Sequence, residues 1–199
     1  MSETLRFTIE SGKICVSDPC YNKGTWCAAW DLEAQTGVWN CEVIKSYEGL
    51  WGERVKEINA IAGEIYPEGC IPIDLPWKKL EFDIGVDSGQ CGIFDYEKYP
   101  DGENTGEYED ENSFYGKCCN LTLPEDDSKE PFGVLENGIV SSSGFGDGSY
   151  IMYGLYEENR EKLIGVKVIF IDEEEVEDDC CDECHCDDCC ECEIEEDES

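Results

Sequence analysis

Alternating apolar and polar residues predict β-strands along most of the chain. The clearest case is the segment 80–86, where every second residue is apolar, namely Leu80, Phe82, Ile84 and Val86. A period of two is typical of a half-buried strand. Similar strand patterns occupy residues 5–9, 13–17, 39–47, 90–95, 138–143, 149–156 and 162–171. Because turn residues separate these short segments, we expect a mainly β protein with antiparallel sheets, of the sandwich or barrel-like type.

The spacing of the strands also predicts which of them pair. Residues 5–9 and 13–17 flank Ser11-Gly12 and are expected to form a hairpin. The segment 90–95 is expected to pair beside 80–86, and the last third of the chain is expected to form a β-meander.

Helical patterns are few. Apolar residues fall at helical spacing between positions 51 and 62, although 55–61 also fits a strand, and a second short helix is predicted to begin at Phe114. Residues 96–113, which are rich in Glu, Asp, Gly and Tyr, are expected to form a long exposed loop. The fold class is therefore mainly β, an α+β fold with few short helices.

Composition and charge exclude several classes of function. Forty-nine acidic and fourteen basic residues give a formal net charge of −35, which opposes binding to nucleic acid or to an anionic membrane. The sequence starts without a signal-peptide pattern, and its longest apolar runs are too short to span a bilayer. We therefore expect a cytoplasmic protein whose partner is another protein or a small ligand.

Cysteine is abundant for a protein expected in a reducing compartment, where metal ligation or burial explains thiols better than disulfides do. Eight of the fifteen cysteines lie in the body without ligand spacing, apart from one adjacent pair, and we expect them to be small buried hydrophobes. They are Cys15, Cys20, Cys27, Cys41, Cys70, Cys91, Cys118 and Cys119. The five tryptophans are expected in the core or at its rim.

A change in composition at Asp172 divides the chain in two. Residues 172–199 contain seventeen Asp and Glu, no Lys or Arg, and only Val176 and Ile194 as large aliphatics. With those seventeen removed, residues 1–171 keep thirty-two acidic and fourteen basic side chains, a balance of −18. We expect a globular β-rich domain over 1–171 and an acidic tail over 172–199 that is disordered unless metal binds it.

The tail concentrates metal ligands. Seven thiols and one imidazole lie within thirteen residues, at C-x-x-C and C-x-C spacings that let neighbouring thiolates converge on one ion. These residues are Cys180, Cys181, Cys184, His185, Cys186, Cys189, Cys190 and Cys192. Eight such ligands suffice for about two four-coordinate zinc ions, or for a copper(I) or cadmium cluster. The spacing resembles that of metallothioneins locally, without their accompanying lysines. Incidental cysteines and a compositional expansion are the alternatives.

Three segments of the body each place an aspartate at the end of a strand, a common position for binding groups. Asp18, Asp87 and Asp147 would bind a hard cation if they came together. The candidate ligand-binding residues in these segments are Asp18, Tyr21, Asp87, Ser88, Gln90, Ser143, Asp147, Ser149 and Tyr150. Taken singly, the Asp-Pro, Asp-Ser-Gly and Asp-Gly sequences are also ordinary turn signals.

The same segments resemble a bacterial and phage family of domains of unknown function, the one numbered 4241. The similar stretches are Lys13 to Tyr21, Asp83 to Asp95, Phe114 to Leu123 and Val134 to Ile171, and the most specific of them is the hairpin Ser143-Gly144-Phe145-Gly146-Asp147-Gly148-Ser149-Tyr150. The family has no established activity. The resemblance therefore implies a fold and a grouping, and it carries over no catalytic residue.

Conventional catalytic machinery is sparse. The only histidine is His185 in the tail, which excludes a Ser-His-Asp or Cys-His site in the body, and no phosphate-binding or dinucleotide-binding motif is present. We therefore expect a non-enzymatic acidic binding module with a tail that binds a soft metal. The alternatives are a metal-dependent hydrolase using the loop carboxylates, and an immunity-type or decoy protein that covers a basic toxin or nuclease.

Overall fold

A computed structural model describes residues 5–63, 75–101, 105–123, 129–157 and 162–172. In these residues the chain forms two antiparallel sheets and one α-helix, which confirms the predicted mainly β class. The six-stranded sheet has the order β1-β4-β5-β11-β10-β6, and its strands are β1 (Leu5–Ile9), β4 (Gly37–Tyr47), β5 (Glu53–Ala62), β6 (Lys78–Val86), β10 (Gly148–Tyr156) and β11 (Leu163–Ile169). The five-stranded sheet has the order β3-β2-β7-β9-β8, with β2 (Lys13–Ser17), β3 (Ala29–Glu33), β7 (Gln90–Asp95), β8 (Phe132–Leu135) and β9 (Gly138–Ser142).

The main hydrophobic core lies between the two sheets and makes the fold a sandwich. Alternate residues of each strand point inward, so that Ile14 and Ile93 of one sheet belong to the same buried cluster as Trp39, Ile58 and Ile84 of the other. Burying one such aliphatic side chain contributes about 1.5–3 kcal/mol. The predicted period-two strand 80–86 is confirmed as β6, with Ile84 and Val86 in this core.

The helix α1 (Phe114–Thr122) covers the outer face of the five-stranded sheet, as predicted from Phe114. The Ser113 hydroxyl caps it by accepting a hydrogen bond from the Gly116 N–H at 2.9 Å. Beneath the helix, Phe94, Tyr99 and Phe114 contact one another edge to face, with ring centroids 4.9–5.4 Å apart. Tyr99 and Thr105 are buried, so the segment expected to be an exposed loop is anchored at these two residues.

The prediction of buried cysteines is confirmed for five of the body thiols, which are Cys15, Cys41, Cys91, Cys118 and Cys119. Cys20 and Cys27 are partly exposed, and all seven described cysteines are free thiols. Cys70 lies outside the described residues. The tryptophans divide more widely than expected, because Trp39 is fully buried whereas Trp26 is 93% exposed.

Two of the predicted strand pairings are wrong. β1 pairs with β4 and β2 pairs with β3 and β7, so the expected opening hairpin is a crossing from one sheet to the other. β7 pairs with β2 and β9, not with β6. A period-two pattern fixes which face of a strand is apolar, and it does not say in which of two facing sheets the strand lies.

The crossing between β1 and β2 is held by a buried carboxylate. Asp95 Oδ2 accepts hydrogen bonds from the N–H groups of Glu10 and Ser11 at 2.7 and 3.0 Å, and its Oδ1 accepts one from Glu97 at 3.1 Å. Burial raises the pKa of Asp95, but the N–H groups of Ser11, Glu10 and Glu97 outweigh burial and leave the pKa lowered.

Residues Glu53–Ala62 form the strand β5, so the strand is the correct one of the two structures that the sequence allowed in this segment. β5 is buried on both faces near its end, with Ile58 and Ala60 in the main core and Ile61 in a second cluster, which obscures the alternation in the sequence. A 3₁₀ turn (Gly49–Trp51) joins it to β4. The break in alternation at Ile44 corresponds to a β-bulge between Ile44 and Lys45.

The predicted meander in the last third of the chain is only partly correct. β10 and β11 form an antiparallel hairpin, whereas β9 lies in the opposite sheet from β10. Among the described residues, no helix is long and apolar enough to cross a membrane.

Candidate functional site

The three aspartate-containing segments meet at one end of the sandwich. The carboxylate of Asp18, after β2, contacts the crossing between β6 and β7. The same crossing contacts the turn between β9 and β10, because the N–H of Ser143 donates to the carbonyl oxygen of Gly89 at 3.0 Å. The three segments selected from the sequence therefore lie together. Their aspartate side chains have different surroundings, which are described in turn below.

Asp18 is fully buried and its carboxylate is occupied by hydrogen bonds. Oδ1 accepts from the Cys20 N–H at 2.9 Å and from the Ser88 hydroxyl at 2.6 Å. Oδ2 accepts from the N–H groups of Asp87 and Ser88 at 2.9 and 2.7 Å. A carboxylate has about four acceptor positions, and these four donors occupy them. Asp18 thus joins the end of β2 to the β6–β7 crossing, and it has no oxygen free for a ligand.

The buried Asp18 carboxylate and its four hydrogen bonds are called the Asp18 clamp below. Tyr21 lies beside this clamp and borders the exposed Asp87. Burial, followed by hydrogen bonds with the Cys27 thiol and the Asp87 carboxylate, raises the pKa of the Tyr21 hydroxyl. The Tyr21 carbonyl oxygen also accepts a hydrogen bond from the Tyr99 hydroxyl at 2.7 Å. Tyr21 and Asp87 are therefore neighbours, with a protonated phenol facing a carboxylate.

Ser88 and Gln90 lie against α1, at Tyr115 and Cys119. Burial is the main reason that the pKa of Tyr115 is raised to about 12; its hydrogen bond with Ser88 works in the opposite direction, and the Cys119 thiol adds to the rise. The Gln90 amide donates to Cys119 Sγ at 3.4 Å, while its buried Oε1 has no hydrogen-bond partner among the described residues. Burial and the Asp18 carboxylate likewise raise the pKa of the Cys20 thiol. The raised pKa values keep Tyr115 and Cys20 protonated at neutral pH, so both groups act in hydrogen bonds.

Of the other four candidates, Ser143 and Asp147 lie in the turn between β9 and β10, and Ser149 and Tyr150 lie at the start of β10. The Ser143 hydroxyl donates to the Gly146 carbonyl oxygen at 2.8 Å, and the Tyr150 hydroxyl lies 2.5 Å from the same oxygen. Tyr150 also packs edge to face on Phe170, with ring centroids 5.1 Å apart, and burial raises its pKa. These contacts fix the turn, whereas the side chains of Asp147 in the turn and Ser149 in β10 are exposed.

The structure does not bring the loop carboxylates together as a metal centre. In the described part of the chain, no group of three or more His, Cys, Asp or Glu side chains is arranged to hold a metal ion. Asp18 is buried in its own hydrogen bonds, and Asp147 is exposed on a separate turn. The hydrolase alternative, which uses Asp18, Asp87 and Asp147, stays a prediction. The predicted tail ligands, Cys180 to Cys192, lie outside the described residues.

Next to the three segments lies a cleft of about 880 Å³. It is lined by the turn Ser142–Gly146, by Gly89 and by the tip of the β4–β5 hairpin. Residues at the end of α1 and before β8 complete the lining. At the rim, Trp51 and Phe145 contact each other edge to face, with ring centroids 6.0 Å apart, although they are 66% and 56% exposed. Two aromatic rings from distant parts of the chain thus stand together in solvent.

The lining of this cleft is basic relative to the rest of the chain. It contains three basic side chains, those of Lys45, Arg54 and Lys129, and two acidic ones, those of Glu53 and Glu130. Lys45 Nζ lies 2.6 Å from Glu53 and 2.7 Å from Glu130, so it links the hairpin to the chain before β8. Both carboxylates raise the pKa of Lys45. Arg54 and Lys129 therefore supply the excess positive charge, in a protein whose net charge is −35.

Sequence reasoning did not find this cleft. Of its lining, only Ser143 was among the candidate residues. One local signal was present, because Trp51 stands between Gly49 and Gly52 in a turn, where a large aromatic ring has little to pack against. Its partner Phe145 is ninety-four positions away, and no pattern along the chain indicates that contact.

A second groove, of about 750 Å³, lies between α1 and the β8–β9 hairpin. Its apolar lining includes Phe114, Leu121 and Val134, with Lys98 and Lys117 at its sides. It contains none of the three aspartate-containing segments, so we assign the candidate site to the cleft with Trp51 and Phe145.

Comparison with known proteins adds no relative. No family model, curated protein or solved structure matches the chain. The family resemblance drawn from the sequence remains a prediction, and the site has to be interpreted from its own chemistry.

Proposed function

We propose that this protein is a non-enzymatic binding module, and that the cleft beside Trp51 and Phe145 receives a segment of a partner protein. The observation that carries the proposal is the exposed pair of aromatic rings at the rim of a cleft of about 880 Å³. Aromatic residues and arginine at the centre of a contact surface supply most of the binding energy in protein interfaces.

The exposed apolar side chains support this assignment. Ten large hydrophobic residues are exposed among those described, and half of them lie on the cleft or at the tip of the β4–β5 hairpin: Tyr47, Leu50, Trp51, Leu123 and Phe145. Concentration of exposed apolar area in one region is typical of an interaction site. Covering the exposed part of Trp51 would contribute on the order of 2–4 kcal/mol to binding.

The basic residues define the chemistry of the partner. Arg54 and Lys129 favour a carboxylate, while Lys45 is already paired with two glutamates. A segment that fits both features carries an apolar or aromatic side chain next to Asp or Glu. Electrostatic complementarity of this kind mainly fixes specificity and the rate of association.

The test is capture of partners with paired variants of the full chain. We expect proteins retained by the wild type to be lost with the double substitution Trp51→Ser and Phe145→Ser. They should be retained by Trp26→Ser, which removes an exposed tryptophan outside the cleft. Arg54→Glu should weaken capture, and Lys79→Glu on the exposed edge of β6 should not. Equal loss with Trp26→Ser, or capture that survives the double substitution, contradicts the proposal.

The tail supports a second, separate proposal, that it binds a thiophilic metal such as zinc. Its support is the sequence alone, namely eight soft ligands within thirteen residues. Elemental analysis of protein purified without added metal should find metal in the full chain and much less in a chain stopped after Asp172. Equal metal content in the two contradicts this role.

A further inference from the structure

We infer that the acidic segment 173–179, immediately after the described body, occupies the cleft of its own chain and competes there with the partner. This inference rests on the proposed function, because it takes the cleft to be a binding surface. It adds a specific occupant and a consequence, which is that the partner has to displace the segment.

The described chain ends close to the wall of the cleft. Phe170 and Ile171 follow β11, and their N–H groups both point at the carbonyl oxygen of Lys56, at 2.8 and 3.2 Å. A Cβ built on Gly144 would lie 3.0 Å from Phe170 Cβ and 3.1 Å from Ile171 Cγ1. Gly144 is part of the cleft wall. Phe170 and Ile171 thus lie next to a residue of the lining, although neither is part of it, and the segment after Asp172 starts close to Gly144.

The charge of the segment 173–179 is complementary to that of the cleft. Residues 173–179 read Glu-Glu-Glu-Val-Glu-Asp-Asp, with six carboxylates around one aliphatic side chain. This is the chemistry that the cleft was argued to favour, since Arg54 and Lys129 attract carboxylates and the aromatic rim accepts an apolar side chain. The body as a whole has a balance of −18, which disfavours such a segment over most of its surface.

The segment 173–179 is tethered to the body through Asp172 by a short length of chain. An extended chain advances by about 3.3–3.6 Å per residue, so seven residues reach roughly 25 Å from Asp172. A short tether gives an effective concentration in the millimolar range. A contact too weak to form between separate molecules is therefore well populated within one chain.

A different acidic segment has to be distinguished by the experiment. Residues 124–128 connect two residues of the lining, Leu123 and Lys129, and they include Glu125, Asp126 and Asp127. The distal tail is a further control, because it also offers six carboxylates, at Glu191, Glu193, Glu195, Glu196, Asp197 and Glu198.

The experiment follows the indole N–H resonance of Trp51 in the ¹⁵N-labelled full chain, under reducing conditions with a chelator present, and assigns it with Trp51→Phe. Three charge-neutralised variants are compared, each with Glu→Gln and Asp→Asn. They alter the proximal segment 173–179, the distal residues, and residues 125–127. We expect the Trp51 resonance to shift in the proximal variant only. Raising the salt from about 0.02 M to about 0.5 M should move the wild-type resonance toward that of the proximal variant, because screening weakens the contact.

Partner binding supplies the second measurement. The proximal variant should bind a captured partner about 3–30-fold more tightly than the wild type, whereas the distal variant should not differ. A Trp51 resonance unaffected by the proximal substitutions, or shifted equally by the distal ones or only by those at 125–127, overturns the inference. If a partner still binds through Trp51 in that case, the proposed function stands and only the self-occupied cleft is refuted.

Discussion

Replacing Asp18 with asparagine removes one charge and almost no volume, at the point where the three aspartate-containing segments meet. The side chain is fully buried and accepts four hydrogen bonds, three from backbone N–H groups and one from the Ser88 hydroxyl. An amide can accept at only one of its two ends. The better orientation keeps its oxygen on the N–H groups of Asp87 and Ser88. Its NH₂ then faces the Cys20 N–H, while the Ser88 hydroxyl can turn to accept.

The expected cost follows from this arrangement. One buried N–H loses its acceptor, at about 1–3 kcal/mol, and the two hydrogen bonds that remain lose the extra strength of a charged acceptor. Asp18→Asn should therefore lower the free energy of unfolding by about 2–5 kcal/mol, and Asp18→Ala should cost more because three N–H groups are left unpaired.

Urea unfolding of the full chain measures this effect. The midpoint should fall with an unchanged slope. Asp147→Asn, at an exposed position in a neighbouring turn, should change stability by no more than about 0.5 kcal/mol. The reasoning is refuted if Asp18→Asn is no more destabilising than Asp147→Asn. Faster amide exchange at Asp87 and Ser88 in the Asp18→Asn variant would locate the loss at the clamp.

Three other predictions concern the rest of the fold. The pKa of Asp95 is lowered in the folded state, so the stability that Asp95 contributes is present above its unfolded pKa and is lost as the pH falls through its folded pKa. Asp95→Asn should therefore make the stability depend less on pH below about pH 4. An unchanged dependence of stability on pH would contradict this. Lys45→Met should change stability by only about 0–1 kcal/mol in thermal unfolding, because both of its ion pairs are exposed, and a larger loss would mean that the link across the cleft is structural. Gly92→Ala should destabilise by about 1–3 kcal/mol or more, since the new Cβ would lie 2.7 Å from the Ile139 carbonyl oxygen and against the Phe94 ring, and unchanged stability would show that this part of β7 can shift.

The sequence predicted the strands better than their arrangement. The pattern at Leu80 to Val86 and the helix at Phe114 depend on residues close in the chain, and both are confirmed. The partner of β7 depends on which of two facing sheets it joins, and the same alternation fits both. At β5 the pattern left helix and strand both open, because Ile58 and Ile61 are buried on opposite faces, which resembles helical spacing over a short window.

The site shows the same limit. Asp18, Asp87 and Ser88 were selected as residues at strand ends, and they do lie together, but the sequence could not tell that Asp18 is buried and bound to the backbone. The contact between Trp51 and Phe145 joins two turns in different parts of the chain. Such a contact is set by how the sheets cross, and it leaves no periodic signal.

The most direct test of the central claim, that the cleft is the binding site, is photo-crosslinking from its rim. Trp51 is replaced by p-benzoylphenylalanine in the full chain, Trp26 is replaced in a second protein as the control, and each is irradiated with a captured partner. The account predicts an intermolecular cross-link from position 51 and none from position 26, which is 93% exposed and outside the cleft. Cross-linking from position 26 alone, or equally from both positions, would contradict it.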